Sequence, residues 1–135
     1  MSEKQVLVTG ACGEIGQALI QGLAQRGGFQ IITSDLAPLP ASIQLYVSQH
    51  FQGDMLNKTK VFYDHDFEII YHLAAFLSSK AESMPEEAHK VNVEGTLQLL
   101  LLAAYKSEKR ERAMQFFFPS SIAAHGLPDA RTKTE

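Results

Sequence analysis

Gly10, Gly13 and Gly16 stand at even spacing in Val6-Leu7-Val8-Thr9-Gly10-Ala11-Cys12-Gly13-Glu14-Ile15-Gly16, where an apolar run of strand length passes into a segment of helical period. The chemistry open to such a turn is anion binding. Glycines keep the turn tight and let backbone N–H groups reach a pyrophosphate, while the third lets the helix pack close to the strand. The helix N-terminus adds unpaired N–H groups and the positive end of its dipole. Glycine spacing alone also suits a plain strand-to-helix corner. The flanking strand, the helix and a downstream acid point instead to a dinucleotide. That acid is Asp35, nineteen residues beyond Gly16 at the end of a second apolar run. A carboxylate there can accept hydrogen bonds from the adenosine ribose hydroxyls. Its charge repels the 2′-phosphate of NADP, and Ala11 and Cys12 supply no cation to offset it, so the expected cofactor is NAD.

The elements that must position these residues follow a βαβ pattern, with apolar runs of strand length alternating with helical periods. The spacing predicts strands over Gln5–Thr9, Gln30–Ser34, within Gln44–Gln52, over Phe67–Tyr71 and over Gln115–Phe118. A first helix is predicted from Glu14 to Gln25, with Ile15, Leu19 and Leu23 on its buried face and Gly27-Gly28 ending it. Two prolines make Ala37-Pro38-Leu39-Pro40 a loop. A short helix is expected near Asn57–Tyr63. Ser83-Met84-Pro85-Glu86 reads as a helix start, with Ser83 as N-cap and Glu86 completing a capping box, and that helix should run to about Lys106. The fold class expected is α/β: a Rossmann-type, doubly wound parallel sheet of about five strands in the order 3-2-1-4-5.

Composition narrows the function classes. The chain has 135 residues, 45% hydrophobic and 20% charged, with net charge −3, which fits one globular domain and gives no basic surface for nucleic acid. The longest apolar run, Leu97–Ala104, is too short to cross a bilayer. One cysteine, Cys12, cannot form an internal disulfide, and a cytoplasmic location is the expectation. Cys12 itself reads as a small turn residue. His50, His65, His72, His89 and His125 lack ligand spacing, so no metal is expected. Asp64-His65-Asp66 reads as a solvated turn and Lys106–Arg112 as a solvated helix end. Leu99–Leu102 give their helix more apolar surface than one buried face needs, which implies deep burial or a subunit interface.

Six segments stand in order: the glycine turn, Asp35, Gly53-Asp54-Met55, His72-Leu73-Ala74-Ala75, Asn92-Val93-Glu94-Gly95-Thr96 and Pro119-Ser120-Ser121-Ile122-Ala123-Ala124-His125-Gly126. With them the chain resembles the extended branch of the short-chain dehydrogenase/reductase superfamily, the NAD-dependent epimerase/dehydratase family. The resemblance implies that Gly10, Gly13, Glu14, Ile15 and Gly16 hold the pyrophosphate, Asp35 the ribose, and Asp54 with Met55 the adenine. It places Leu73, Ala74 and Ala75 along the path to the nicotinamide ribose and Asn92 beneath the cofactor, as a bracing or contacting amide. Ser121 matches the family's catalytic serine or threonine, which hydrogen-bonds the substrate oxygen. Leu73–Glu82, read with Pro119–Ala123, is similar to the L-threonine 3-dehydrogenase-like members, in which a serine matching Ser78 approaches the substrate.

Family chemistry also uses a Tyr-x-x-x-Lys pair downstream of that serine, the tyrosine as general acid/base. No tyrosine occurs in residues 122–135, and Tyr105-Lys106-Ser107-Glu108-Lys109 precedes the serine. The chain is therefore expected to be the N-terminal, NAD-binding portion of a longer enzyme, residues 1–135 forming one Rossmann domain without the C-terminal substrate-binding part. Alone it is expected to be inactive. The expected partners are a small-molecule substrate, a nucleotide sugar or a hydroxy or amino acid such as L-threonine, and a second copy in a homodimer. Neither nucleic acid nor membrane is expected. The alternative is a non-catalytic NAD-binding sensor or scaffold.

Overall fold

The computed structural model describes residues 2–126. Five strands, β1 (Lys4–Thr9), β2 (Phe29–Asp35), β3 (Val47–Gln52), β4 (Phe67–His72) and β5 (Gln115–Phe117), form one parallel sheet in the order β3-β2-β1-β4-β5. That is the expected order. It arises because the middle strands are buried on both faces and so read as almost unbroken apolar runs. Side-chain alternation sends Val6 and Val8 to one face, where they pack with Ile31, with Ile20 and Leu23 of α1 (Glu14–Arg26) and with Ile43 of α2 (Ala41–Gln44). Leu7, Ile32 and Ile70 go to the other face, against Phe62 of α3 (Thr59–Phe62) and Leu99 and Leu102 of α6 (Thr96–Arg110).

Two expectations are corrected. The buried stripe of α1 is Gly16, Ile20 and Leu23, and Ile15 is 69% exposed. The inward position in the first turn belongs to the glycine because only a residue without Cβ fits there, and this turns Ile15 outward. The single helix predicted from Ser83 to about Lys106 is three segments, α5 (Pro85–His89), a π-helical stretch over Lys90–Gly95, and α6, and an unpredicted short helix, α4 (Ser78–Ser83), precedes them. The capping box does not form. Ser83 ends α4 with its hydroxyl donating to the Lys80 carbonyl at 3.0 Å, and Met84 is the N-cap of α5 without a side-chain cap bond. With its hydroxyl turned back to the preceding turn, Ser83 does not aim its oxygen at the first amides of the next helix. Pro85 does open α5.

The short helix expected near Asn57–Tyr63 is a 3₁₀ turn, Met55–Asn57, followed by α3. The charged end of α6 reaches back to the sheet: Arg110 pairs with Asp66, and Arg112 with Glu68 at 3.1 Å. Among the described residues no helix is long and apolar enough to cross a membrane.

Candidate functional site

β1 lies between β2 and β4, and the helices that follow β1 and β4 cover opposite faces of the sheet, which opens a crevice at the carboxyl ends of these two strands. The glycine turn occupies this point. Gly10 has φ +67, and a Cβ on it would fall 2.7 Å from the Ala74 nitrogen and the Leu73 carbonyl carbon. A Cβ on Gly16 would lie 2.5 Å from the Gly10 oxygen and 2.8 Å from Ala11 Cα. The fold itself demands these two glycines. Gly13 is different: it is exposed, has φ −70, and its Cβ would meet only the Gly10 oxygen at 3.4 Å. Nothing in the protein requires glycine there, and its bare Cα keeps the approach to α1 clear.

Gly13 is also the N-cap of α1 and supplies no capping side chain. The first-turn amides of Glu14, Ile15 and Gly16 have no intrahelical acceptor by helix geometry. A cleared approach, uncapped amides and the positive dipole end together fit a pyrophosphate. The side chains of Glu14 and Ile15 are exposed, so their part in such a site is played by backbone.

Asp35 ends β2 and accepts the Cys12 N–H at 2.9 Å on one oxygen and the Ala37 N–H at 3.0 Å on the other. Each oxygen keeps a further lone pair with which to accept a ribose hydroxyl. The Cys12 thiol donates to the Ala37 and Pro38 carbonyls at 3.6 and 3.4 Å. Burial, then the charge of Asp35, push that thiol up to about 11, so it stays protonated and is no nucleophile. Ala37 is held a second time by His50, whose Nε2 lies 2.9 Å from the carbonyl.

Asp54 is exposed and caps the 3₁₀ turn, accepting the Leu56 N–H at 3.0 Å. Met55 sits in the core beside Gly95, where a Cβ would come within 2.6 Å of the Met55 Cε. Any ligand contact from residue 55 is therefore left to its backbone.

A buried chain of polar groups underlies the site. Thr9 and His72 face one another in register on β1 and β4, with Thr9 Oγ1 2.7 Å from His72 Nδ1. Thr9 Oγ1 also accepts the Ala74 N–H at 3.2 Å and shares the Leu73 N–H, at 3.2 Å, with the Thr9 carbonyl at 3.1 Å. Its one proton must therefore go to Nδ1, which leaves the ring proton on Nε2. Nε2 lies 2.8 Å from Thr96 Oγ1, and the Thr96 hydroxyl donates to the Asn92 carbonyl at 2.8 Å. The Asn92 side chain accepts the Phe76 N–H at 2.8 Å and donates to the Phe76 carbonyl at 3.1 Å. Burial lowers His72 to about 4, which keeps the imidazole neutral in this arrangement. Both polar ends of Asn92 are thus used in bracing the segment from Leu73 to Phe76. Within that segment Leu73 and Ala74 are half-buried and Ala75 is exposed.

Sequence reasoning did not find Thr9, Thr96 or the role of His72. The available signal was a threonine and a histidine each closing an otherwise apolar strand. Ser121 is exposed and stands just before a 3₁₀ turn, Ile122–His125, beyond β5, the strand that pairs with β4. It therefore leaves the same edge of the sheet as Leu73–Phe76. Ser78 opens α4, and its side chain lies outside the described structure. Tyr105 packs against Tyr63, with Lys109 over its ring, about 14 Å along α6 from Thr96 by helical rise. That pair belongs to the opposite end of the sheet. Among the described residues no group of three or more His, Cys, Asp or Glu could hold a metal ion.

The chain is similar to the human protein named inactive L-threonine 3-dehydrogenase, mitochondrial, at 30% identity over 96% of this chain and 55% of that one. Among solved structures, an L-threonine dehydrogenase from Clostridium difficile matches with a TM-score of 0.72 and 32% identity, over 92% of this chain and 38% of that one. The holo form of an L-threonine dehydrogenase from Cupriavidus necator matches at 0.69 and 32%, over 89% and 38%. The chain thus spans about a third to a half of the length of these relatives. The family model described as the NAD dependent epimerase/dehydratase family matches residues 6–135, the glycine turn through the serine segment, and the chain belongs to that family.

Proposed function

We propose that this chain is the NAD-binding portion of an NAD-dependent oxidoreductase or epimerase acting on a small hydroxyl-bearing substrate, with L-threonine the first candidate. The observation that carries the reading is Gly13, a glycine the fold does not need, placed over uncapped helix amides and next to Cys12, whose N–H Asp35 accepts. Gly10, Gly13, Gly16 and the amides of residues 14–16 would hold the pyrophosphate and Asp35 the ribose. The carboxylate of Asp35 favours NAD over NADP. When bound, the nicotinamide supplies the hydride acceptor or donor.

The chain's own residues orient and hold. Asn92 and Thr9 fix the Leu73–Phe76 backbone, which narrows where a substrate can lie. The Ser121 hydroxyl would hydrogen-bond the substrate oxygen whose proton is exchanged, with Ser78 approaching the same molecule. The threonine dehydrogenases among its relatives support the substrate class. Leu97, Leu101 and Tyr105, four residues apart on α6 and roughly half exposed, support a second copy of the protein as partner.

Calorimetric titration with NAD and NADP, followed by NADH absorbance with L-threonine, hydroxy acids and nucleotide sugars, tests this. Binding of NAD without turnover is expected of this chain alone, and turnover of L-threonine only of a longer chain that carries it together with a Tyr-x-x-x-Lys pair. Absence of NAD binding overturns the reading. The inactive human relative favours a second reading, an NAD-binding module without turnover, and NAD binding with no turnover across the panel by the longer chain would select it.

A further inference from the structure

The polar chain Thr9–His72–Thr96–Asn92–Phe76 joins two parts of the site that are far apart in sequence. At one end is Thr9, the residue before Gly10, whose hydroxyl gathers the amides of Leu73 and Ala74. At the other is Asn92, in the π-helical stretch, gripping both backbone groups of Phe76. His72 is the only member that touches both arms. Its ring is fully buried, with Phe116 and Phe118 flanking it at centroid distances of 6.1 and 5.6 Å. From Thr9 to Asn92 the donors point one way, Thr9 to His72, His72 to Thr96 and Thr96 to Asn92, and at the far end Asn92 and Phe76 each donate to the other.

We propose that His72 is a positioning residue whose two ring nitrogens do separable work. Nδ1, through Thr9, sets the glycine turn against Leu73–Ala74 and so controls dinucleotide affinity. Nε2, through Thr96 and Asn92, holds the Phe76 backbone on the substrate side. His72 itself touches neither ligand. The dinucleotide arm rests on the reading of the site given above, whereas the Phe76 arm does not.

Two substitutions separate the nitrogens. In His72→Asn the side-chain oxygen can occupy the Nδ1 position and accept from Thr9, but nothing reaches Thr96. In His72→Gln the terminal amide can occupy the Nε2 position and donate to Thr96, but Thr9 loses its acceptor. The readouts are the dissociation constant for NAD by calorimetry and the exchange rate of the Phe76 amide by NMR on the folded protein.

His72→Asn should speed Phe76 exchange about tenfold and leave NAD affinity within about twofold. His72→Gln should weaken NAD about tenfold and leave Phe76 exchange within about twofold, each tenfold change being the loss of one buried hydrogen bond. Equal effects of both variants on both readouts, or no effect on either, would overturn the proposal.

Should either variant fail to fold, Thr96→Val and Thr96→Ser test the Nε2 arm without touching the ring. Valine should speed Phe76 exchange and serine should restore the parent rate. Equal rates in the two would overturn the proposal. If the parent protein does not bind NAD, the functional reading falls while Phe76 exchange still decides the Nε2 arm.

Discussion

Asp35 accepts the Cys12 backbone N–H at 2.9 Å, so the last residue of β2 fixes the turn that leaves β1. The carboxylate proposed to read the ribose is also what shapes the pyrophosphate turn. Ligand recognition and loop geometry thus depend on one side chain, and substitutions there should move both.

Asp35→Asn removes the charge and one of two backbone acceptors. NAD affinity should fall about tenfold and stability by about 1 kcal/mol, while the preference for NAD over NADP narrows. Calorimetry with both nucleotides, together with a urea titration, measures all three.

Gly16→Ala and Gly13→Ala should separate the fold from the ligand. At position 16 the methyl group would sit 2.5 Å from a backbone oxygen, so the variant should lose about 1–3 kcal/mol or more of stability. At position 13 it meets only one atom at 3.4 Å and φ is ordinary, so the melting temperature should hold while NAD affinity drops. A Gly13→Ala protein that binds NAD like the parent would remove the argument from Gly13.

Burial makes folding oppose protonation of His72. The unfolded chain takes up a proton near pH 6.5 that the folded chain refuses until about pH 4, so this contribution is complete above pH 6.5 and lost as pH falls toward 4. The full loss is about 3 kcal/mol. His65, lowered chiefly by burial, acts in the same sense. Urea midpoints across this range should fall more steeply in the parent than in His72→Asn.

The Cys12 thiol, held near 11, should be alkylated by iodoacetamide about a hundredfold more slowly at about pH 8 in the folded protein than in urea. Asp35→Asn should speed the reaction, since Asp35 is one of the causes of the shift. Mass spectrometry of timed samples reads both rates.

The sheet order was legible because strand content and glycine spacing are local properties: Val6–Thr9, Gly10–Gly16 and Phe67–Tyr71 each announce themselves within a few residues. The π-helical stretch was not. Ser83-x-x-Glu86 carries a valid helix-start pattern, but its serine is satisfied by Lys80, a choice made in space after the pattern has been read. Ile15 misled for a related reason. An apolar residue at the right period is expected to face inward, yet here close packing reserves that place for Gly16. The His72 network was invisible because its first link joins residues on β1 and β4, and only strand register brings them together. For the site, the glycine turn and Asp35 were readable as types at a spacing, whereas the bracing by Asn92 depends on which way a loop turns after β4.

The π-helical stretch over Lys90–Gly95 also sets the phase of everything downstream of it. Each residue in an α-helix advances the side-chain direction by about 100°. Were the same six residues wound as ordinary α-helix, with no residue removed, α6 would swing by about that angle about its axis. Leu99 and Leu102 would then leave the sheet and a different set of side chains would face it. The widened turn thus works as a clutch between two helices: the direction in which α6 presents its outer leucines to solvent is decided by how the six residues before it are wound.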